Sequence, residues 1–348
     1  MPLVFSQISH SYGATPVLHE LDFAVEPGQI TCLLGPSGGG KSTLLRLAAG
    51  LEKVQRGEIH VDNEVLANDG LHPPPEARPV GLMFQENALF PNMTVAENIA
   101  FGIRDLSRRE QQEKVKELLE LVGLDEYRQR YPHQLSGGQQ QRIALVRSLA
   151  PEPKILLMDE PYASIDITLR RTLREAARRT IKEKGTTAIL VTHDPDEAME
   201  MADSIAVLDQ GVIAQVGTPQ EVFESPATVA VATLFGGSQR LAITAADEHG
   251  FDTAFGRIQA EAERLSSYRD AHTLVVRPKG LSLKKNEKSD VVISGLRYIG
   301  HDWLAFLTNN NTPSATEPLR VLIDDVSQYQ LGDRVDLIAN QTGVFLFK

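Results

Sequence analysis

Gly35-Pro36-Ser37-Gly38-Gly39-Gly40-Lys41-Ser42 stands directly after the apolar run Gln29-Ile30-Thr31-Cys32-Leu33-Leu34. It has the form G-x-x-x-x-G-K-S in the setting that gives the pattern meaning: a strand, a tight glycine turn, then the helix-like run Ser42 to Ala49. Glycines let successive backbone N–H groups converge on phosphate oxygens, where side chains would obstruct them. Lys41 adds a mobile positive charge near the β- and γ-phosphates, and the helix N-terminus favours the same anion. Ser42 can offer its hydroxyl to Mg²⁺. A glycine turn that merely resembles the pattern is the alternative, and the rest of the chain decides between the two.

Downstream, Gly57–Val61 and Glu64–Val65 read as short strands around a polar turn at Asp62-Asn63, and His72-Pro73-Pro74-Pro75 marks an exposed loop. Val80–Phe84 resumes a buried strand that ends at Gln85. From Thr94 to Leu124 the pattern turns helical. Ser107 with Glu110 has capping-box spacing, and Val115, Leu118, Leu119 and Val122 supply one apolar face. Leu135-Ser136-Gly137-Gly138-Gln139-Gln140-Gln141-Arg142 then leads into the apolar-periodic Ile143–Leu149. It is a second glycine turn at a helix N-terminus, hence a second anion site or a plain serine–glycine cap. Only one of the two turns carries a lysine.

Lys154-Ile155-Leu156-Leu157-Met158-Asp159-Glu160 describes a buried strand whose carboxyl end brings two acids to a crevice, where ligands bind in open α/β sheets. Asp159 can hold Mg²⁺ through water, and Glu160 is placed to orient or deprotonate an attacking water. Paired acids at a solvated strand end are the plainer reading. Residues Pro161–Asp166 turn into a long helix, Ile167 to Lys184, which stops at Gly185. Another buried strand, Ala188–Thr192, ends at His193, whose neutral imidazole can reach a γ-phosphate. A lone histidine after a strand is more often structural; here the order of motifs reverses those odds.

Together these residues closely resemble the nucleotide-binding subunit of an ATP-binding-cassette (ABC) transporter. The resemblance covers residues 1–235, and Leu135–Arg142 is its most specific part. It implies an α/β P-loop ATPase with a helical subdomain at about 87–135, ATP and Mg²⁺ as cofactors, and coupling of hydrolysis to transport. It further implies that Tyr12 stacks on adenine and that Gly35, Pro36, Ser37, Gly38, Gly39, Gly40, Lys41, Ser42 and Thr43 hold the phosphates. Gln85 would approach the metal and water, Asp159 the metal shell, Glu160 the proton transfer, Asp166 the dimer contact and His193 the γ-phosphate. Gly39 stands where relatives often have Cys, and Ile165 where Leu is usual; neither change removes a phosphate, metal or proton-transfer group. In the family, Ser136-Gly137-Gly138-Gln139 of one subunit faces the ATP on the other, so a head-to-tail homodimer completes both sites. Further implied partners are two transmembrane permease subunits and, indirectly, a periplasmic or lipid-anchored binding protein. The implied location is the cytoplasmic face of a bacterial inner membrane, bound peripherally.

Composition agrees with an ordered chain of two domains: 348 residues, 42% hydrophobic and 23% charged. Acidic residues number 46 against 35 basic, a net charge of -11, which argues against a nucleic-acid partner. The start, Leu3-Val4-Phe5, enters a strand-like pattern without a charged leader, and no run reaches the roughly 20 apolar residues of a membrane helix. Cys32, the single cysteine, reads as a small core side chain.

Phe235-Gly236-Gly237-Ser238 reads as a linker to a second domain, 236–348, with short strands at Thr273–Arg277, Val291–Ile293, Trp303–Leu307, Leu319–Ile323 and Val335–Ile338. Such a run predicts a small barrel. Val276-Arg277-Pro278 and Gly332-Asp333-Arg334-Val335 resemble the oligonucleotide-binding-like accessory domain of bacterial importer ATPases, with Lys279 in place of a usual acid. Dimerisation or regulation is its expected role. Tyr131–Arg142 and the accessory domain resemble the ferric-iron importers most, with sulfate, polyamine and sugar importers as alternatives. An ABC ATPase acting on DNA or ribosomes is the alternative of another class. It would need a long coiled-coil insertion or a second cassette.

Overall fold

The structure is a computed structural model that describes residues 1–83, 88–163, 165–247, 249–260, 271–311 and 317–348. Its backbone divides into two compact units, Met1–Pro219 and Gln220–Lys348. Among the described residues, no helix is long and apolar enough to cross a membrane.

The first unit holds two sheets. Strands β1 (Leu3–Tyr12), β2 (Thr15–Val25), β4 (Arg56–Val61) and β5 (Glu64–Ala67) form an antiparallel sheet in the order β2-β1-β4-β5. Asp62 and Asn63 join β4 to β5 with φ of 51° and 66°, the left-handed pair a two-residue hairpin requires. The second sheet contains β3 (Ile30–Leu34), β6 (Val80–Met83), β7 (Ile155–Asp159), β8 (Thr187–Thr192), β9 (Ser204–Asp209) and β10 (Val212–Gly217). Its order is β10-β9-β3-β8-β7-β6. The run β9-β3-β8-β7-β6 is parallel and β10 pairs antiparallel to β9. Every residue of β3, β7 and β8 is buried, as expected for parallel strands covered on both faces.

Helix α1 (Lys41–Ala49) packs into the core shared by the two sheets. Leu44, Leu45, Leu47 and Ala48 meet Leu3, Phe5 and Ile8 on one side and Leu33, Leu157 and Val191 on the other. Each fully buried leucine contributes about 1.5–3 kcal/mol, so the buried face of this helix is firmly held, while Arg46 stays exposed. Cys32, one residue before Leu33 on β3, is fully buried, and burial pushes its thiol well above the ordinary range, which makes it inert. A helical region follows: α2 (Val95–Ala100), α3 (Arg108–Leu121) and α4 (Gly137–Leu149). The Ser107–Glu110 capping box forms with both of its hydrogen bonds, and Thr94–Glu97 makes another. After β7 come α5 (Ile167–Glu183), β8 and α6 (Pro195–Met201).

In the second unit, β11 (Gln239–Asp247), β12 (Gly250–Thr253), β13 (Gly256–Gln259), β14 (Thr273–Val276), β15 (Leu281–Lys285), β19 (Val335–Ala339) and β20 (Val344–Phe347) form one curled half-barrel sheet. Strands β16 (Val291–Tyr298), β17 (Trp303–Asn309) and β18 (Leu319–Ile323) form a second, antiparallel sheet. Leu274, Leu281 and Leu337 of the first sheet and Ile293, Leu307 and Val321 of the second share one core. Arg277, from the Val-Arg-Pro run, is buried between Phe223 and Phe345, its guanidinium 3.7 and 4.6 Å from the ring centres. It donates to the Phe223 carbonyl at 2.8 Å, and burial pushes its pKa down to about 10.

Candidate active site

The parallel register places the chemistry at one edge. Leu34 pairs with Thr192, and Asp159 with Val191. The residues that follow, Gly35, Glu160 and His193, therefore emerge together beyond the carboxyl ends of three adjacent strands.

Gly40 caps α1 with φ 98°, and a Cβ there would lie 2.7 Å from the Leu18 side chain. A Cβ at Gly35 would meet the Leu208 carbonyl at 2.1 Å. Both positions demand glycine, so the loop lies flat on the neighbouring strands. Lys41 Nζ donates to the carbonyls of Gly35 and Pro36, each at 2.8 Å, and burial pushes its pKa below the ordinary range. Ser42 Oγ donates to Asp159 Oδ1 at 3.1 Å. Burial raises the Asp159 pKa, with the Ser42 hydrogen bond pulling against it. Thr43 is buried, and its hydroxyl lies 3.5 Å from the Tyr12 hydroxyl. The Tyr12 ring, 42% exposed, makes a T-shaped contact with His10.

Glu160 has a left-handed backbone, φ 48°, the strained geometry that collects at functional sites. Its N–H donates to the Val191 carbonyl at 3.0 Å, and its own carbonyl accepts from Gln141 Nε2 at 3.1 Å. Its Oε1 accepts from His193 Nδ1 at 3.1 Å. Gln141 was not singled out as a site residue in the sequence, yet it is buried and ties α4 to the backbone of Glu160. Ser136 caps α4, accepting from Gln139 N–H at 3.3 Å, while Gln139 Oε1 accepts from Ser136 N–H at 2.8 Å. Ser136 and Gly137 are exposed, and a Cβ on Gly137 would meet nothing within 4 Å. Asp166 is exposed at the start of α5, its carbonyl accepting from Arg170 N–H at 2.9 Å. Gln85 lies outside the described residues.

The structure thus brings Lys41, Ser42, Asp159, Glu160 and His193 together, with Tyr12 joined through Thr43. Ser136–Gln139 faces outward on its own turn. Among the described residues, no group of three or more His, Cys, Asp or Glu side chains could hold a metal alone.

A charged cluster sits behind His193. Burial pushes the Glu197 carboxyl up to about 7, against the pull of Arg174 and the Thr192 hydroxyl. Burial also works against the Arg174 charge, but Glu197, Glu200 and Asp194 outweigh it and raise its pKa. A carboxyl with a folded pKa above its unfolded value binds more protons when folded, so its contribution to stability falls as pH rises. For Glu197 that window runs from the usual carboxylate range to about 7. Between pH 6 and 8 the loss is about 1 kcal/mol. Glu197→Gln is expected to remove that part of the slope, read by denaturant unfolding at the two pH values. An unchanged slope would contradict the assignment.

The family described as ABC transporter matches residues 18–163. The sulfate/thiosulfate import ATP-binding protein of Pseudomonas aeruginosa is 39% identical over 336 residues, covering 92% of this chain and 99% of that protein. The Fe(3+) ions import ATP-binding protein of Serratia marcescens is 36% identical over 341 residues, covering 97% and 96%. Among solved structures, a dimeric bacterial ABC transporter cassette superposes with a TM-score of 0.57 at 29% identity, over 62% of this chain and 98% of that one. A post-hydrolysis cassette dimer bound to ADP and Pi gives 0.57 at 28%, with the same coverage. With its phosphate loop, strand-end acids and histidine at one sheet edge, this chain belongs to the ATP-binding subunits of ABC transporters and is an ATPase of that family.

Proposed function

We propose that the chain hydrolyses ATP as a head-to-tail pair to drive import of a small inorganic solute through two permease subunits. The pair would sit peripherally on the cytoplasmic face of the membrane and be fed by an external binding protein. The observation that carries this reading is the convergence of Ser42, Asp159, Glu160 and His193 in a chain that spans nearly the whole length of two import ATP-binding proteins. Lys41 and the loop N–H groups take the β- and γ-phosphates, and the Tyr12 face takes the adenine. The donors fit a hard divalent cation: the Ser42 hydroxyl and the Asp159 carboxylate lie side by side and would hold it together with phosphate oxygens. Mg²⁺ bound there would neutralise phosphate charge. Gln85 belongs to the same corner in this reading.

Glu160 accepts a proton from water, whose oxygen attacks the γ-phosphorus while the bridging bond breaks toward ADP. His193 donates Nδ1–H to Glu160 and so fixes the carboxylate. Ser136–Gln139 of the second copy closes over the nucleotide with its helix N-terminus, and Asp166 lies at the seam.

In this reading a sulfate-type oxyanion is set ahead of the ferric iron expected from the sequence, although relatives of both kinds span more than nine-tenths of the chain. Sulfate/thiosulfate relatives reach 39% and 42% identity over 92% and 81% of the chain, against 36% for the iron relatives. The cargo itself is selected outside this subunit. With permeases and binding protein reconstituted, ATP turnover should rise when that protein carries sulfate or thiosulfate. Stimulation by Fe³⁺ alone would reverse the cargo assignment. No stimulation by any loaded binding protein would overturn the import reading.

A further inference from the structure

The charged cluster behind His193 has no part in phosphate binding or proton transfer as described above. Arg174, two turns into α5, has a side chain only 8% exposed, yet it reaches three carboxylates. Its Nη2 donates to Asp194 Oδ2 at 3.1 Å and Glu197 Oε2 at 3.3 Å, and its Nη1 to Glu200 Oε2 at 3.1 Å. One turn earlier, Arg170 Nη1 lies 3.8 Å from the same Asp194 oxygen, and its Nη2 donates to the Ile165 carbonyl at 3.0 Å. The two arginines therefore join the residues just after His193 to the segment that opens α5.

Stability does not account for this arrangement. A buried ion cluster is commonly no better than apolar side chains of the same volume. Arg174 Nε, Glu197 Oε1 and Tyr162 Oη are also buried without a hydrogen-bond partner among the described residues. What the cluster supplies is direction. Thr192 Oγ1 donates to Glu197 Oε2 at 3.0 Å and accepts from Asp194 N–H at 3.0 Å. Asp194 Oδ1 in turn caps α6, accepting from Asp196 N–H at 3.0 Å. Both neighbours of His193 are thus clamped, while its own side chain is 58% exposed. An exposed imidazole keeps one orientation only if its backbone is held, and a misplacement of about 1 Å in a reacting group can cost on the order of 100-fold.

We infer that Arg174 is a positioning residue for ATP hydrolysis, fixing His193 through Thr192 and Asp194 and tying it to the Asp166 end of α5. The inference rests on the role of His193 proposed above, and the test separates the two. Single-turnover hydrolysis, followed for hours so that slow rates are read, is measured on the full chain as Arg174→Gln, His193→Ala and the double variant. Nucleotide Kd is measured in parallel. Arg174→Gln is expected to slow hydrolysis at least ~10-fold with Kd within about twofold. Once His193 is alanine, the same change should cost less than about threefold, because coupled groups are not additive. Arg174→Lys keeps the charge without the fork and should recover part of the rate. An equal loss in both backgrounds, or no loss from Arg174→Gln, overturns the inference and leaves the role of His193 standing. A His193→Ala enzyme with wild-type turnover overturns that role and the inference with it. If Arg174→Gln melts below the assay temperature, Asp194→Asn carries the same cycle. Asparagine caps a helix as well as aspartate but offers Arg174 no charge, and an additive loss there is equally decisive.

Discussion

Glu160→Gln is expected to bind MgATP within about threefold of wild type and to hydrolyse it at least ~100-fold more slowly. In barrier terms this is about 2.7 kcal/mol. The substitution isolates one property. Glutamine keeps the shape of glutamate and an oxygen to accept from His193 Nδ1, but its amide takes no proton from water. The position itself does not depend on the side-chain charge, since the backbone is held by Val191 on one side and Gln141 on the other. The left-handed φ at Glu160 therefore persists in the variant. Phosphate release and equilibrium nucleotide binding check the two halves, and gel filtration with ATP should show the paired form accumulating. Turnover within threefold of wild type would leave Glu160 as an acid at a strand end and nothing more.

The strands β3, β7 and β8 of the central sheet were legible because they are short apolar runs that each end in a chemical residue, whereas β9 and β10 were not. Leu33-Leu34 before Gly35, Met158-Asp159 before Glu160 and Val191-Thr192 before His193 mark where each strand ends. The helical caps were legible where the cap residue and its partner lie three apart, as in Ser107 and Glu110. Strands β11 to β13 were not. Residues Arg240-Leu241-Ala242-Ile243-Thr244-Ala245-Ala246 bury little beyond Leu241, so the alternation that marks a half-buried strand is faint. Strand β11 is held there by backbone pairing, which leaves no trace in side-chain type.

Gln141 and Arg174 were missed for a different reason. Gln141 is in phase with Leu145 and Ser148 on the buried side of α4, and Arg174 with Ala177 and Ile181 on that of α5. A polar residue in phase with a buried face is the signal that would have found both. In the sequence it reads only as a flaw in the apolar stripe, because the partner lies on another element: the Glu160 carbonyl for one, α6 for the other.

Gly137→Asp is expected to bind ATP within about threefold of wild type and to lose hydrolysis by roughly 1000-fold. The fold should tolerate it. A Cβ at Gly137 meets nothing within 4 Å, its φ is not left-handed, and an acid in the first turn of α4 suits the helix dipole. Lys41 and its glycine cradle lie elsewhere in the chain and are untouched. The loss arises only in the pair. A carboxylate about 4 Å from a phosphate charge, at the screening usual near a protein surface, costs about 4 kcal/mol, or three decades in rate. The geometry is tested by joining a Lys41→Ala copy to a Gly137→Asp copy in one tandem chain. If the glycine turn of each copy serves the other's nucleotide, one composite site carries both defects and the other carries none. Equilibrium binding under closing conditions should then find one tight nucleotide per tandem chain, at wild-type affinity. If each turn served its own copy, every site would carry a single defect, and the tandem chain would bind no nucleotide in the closed form. That outcome would place Ser136–Gln139 in the same subunit's site and overturn the head-to-tail assembly.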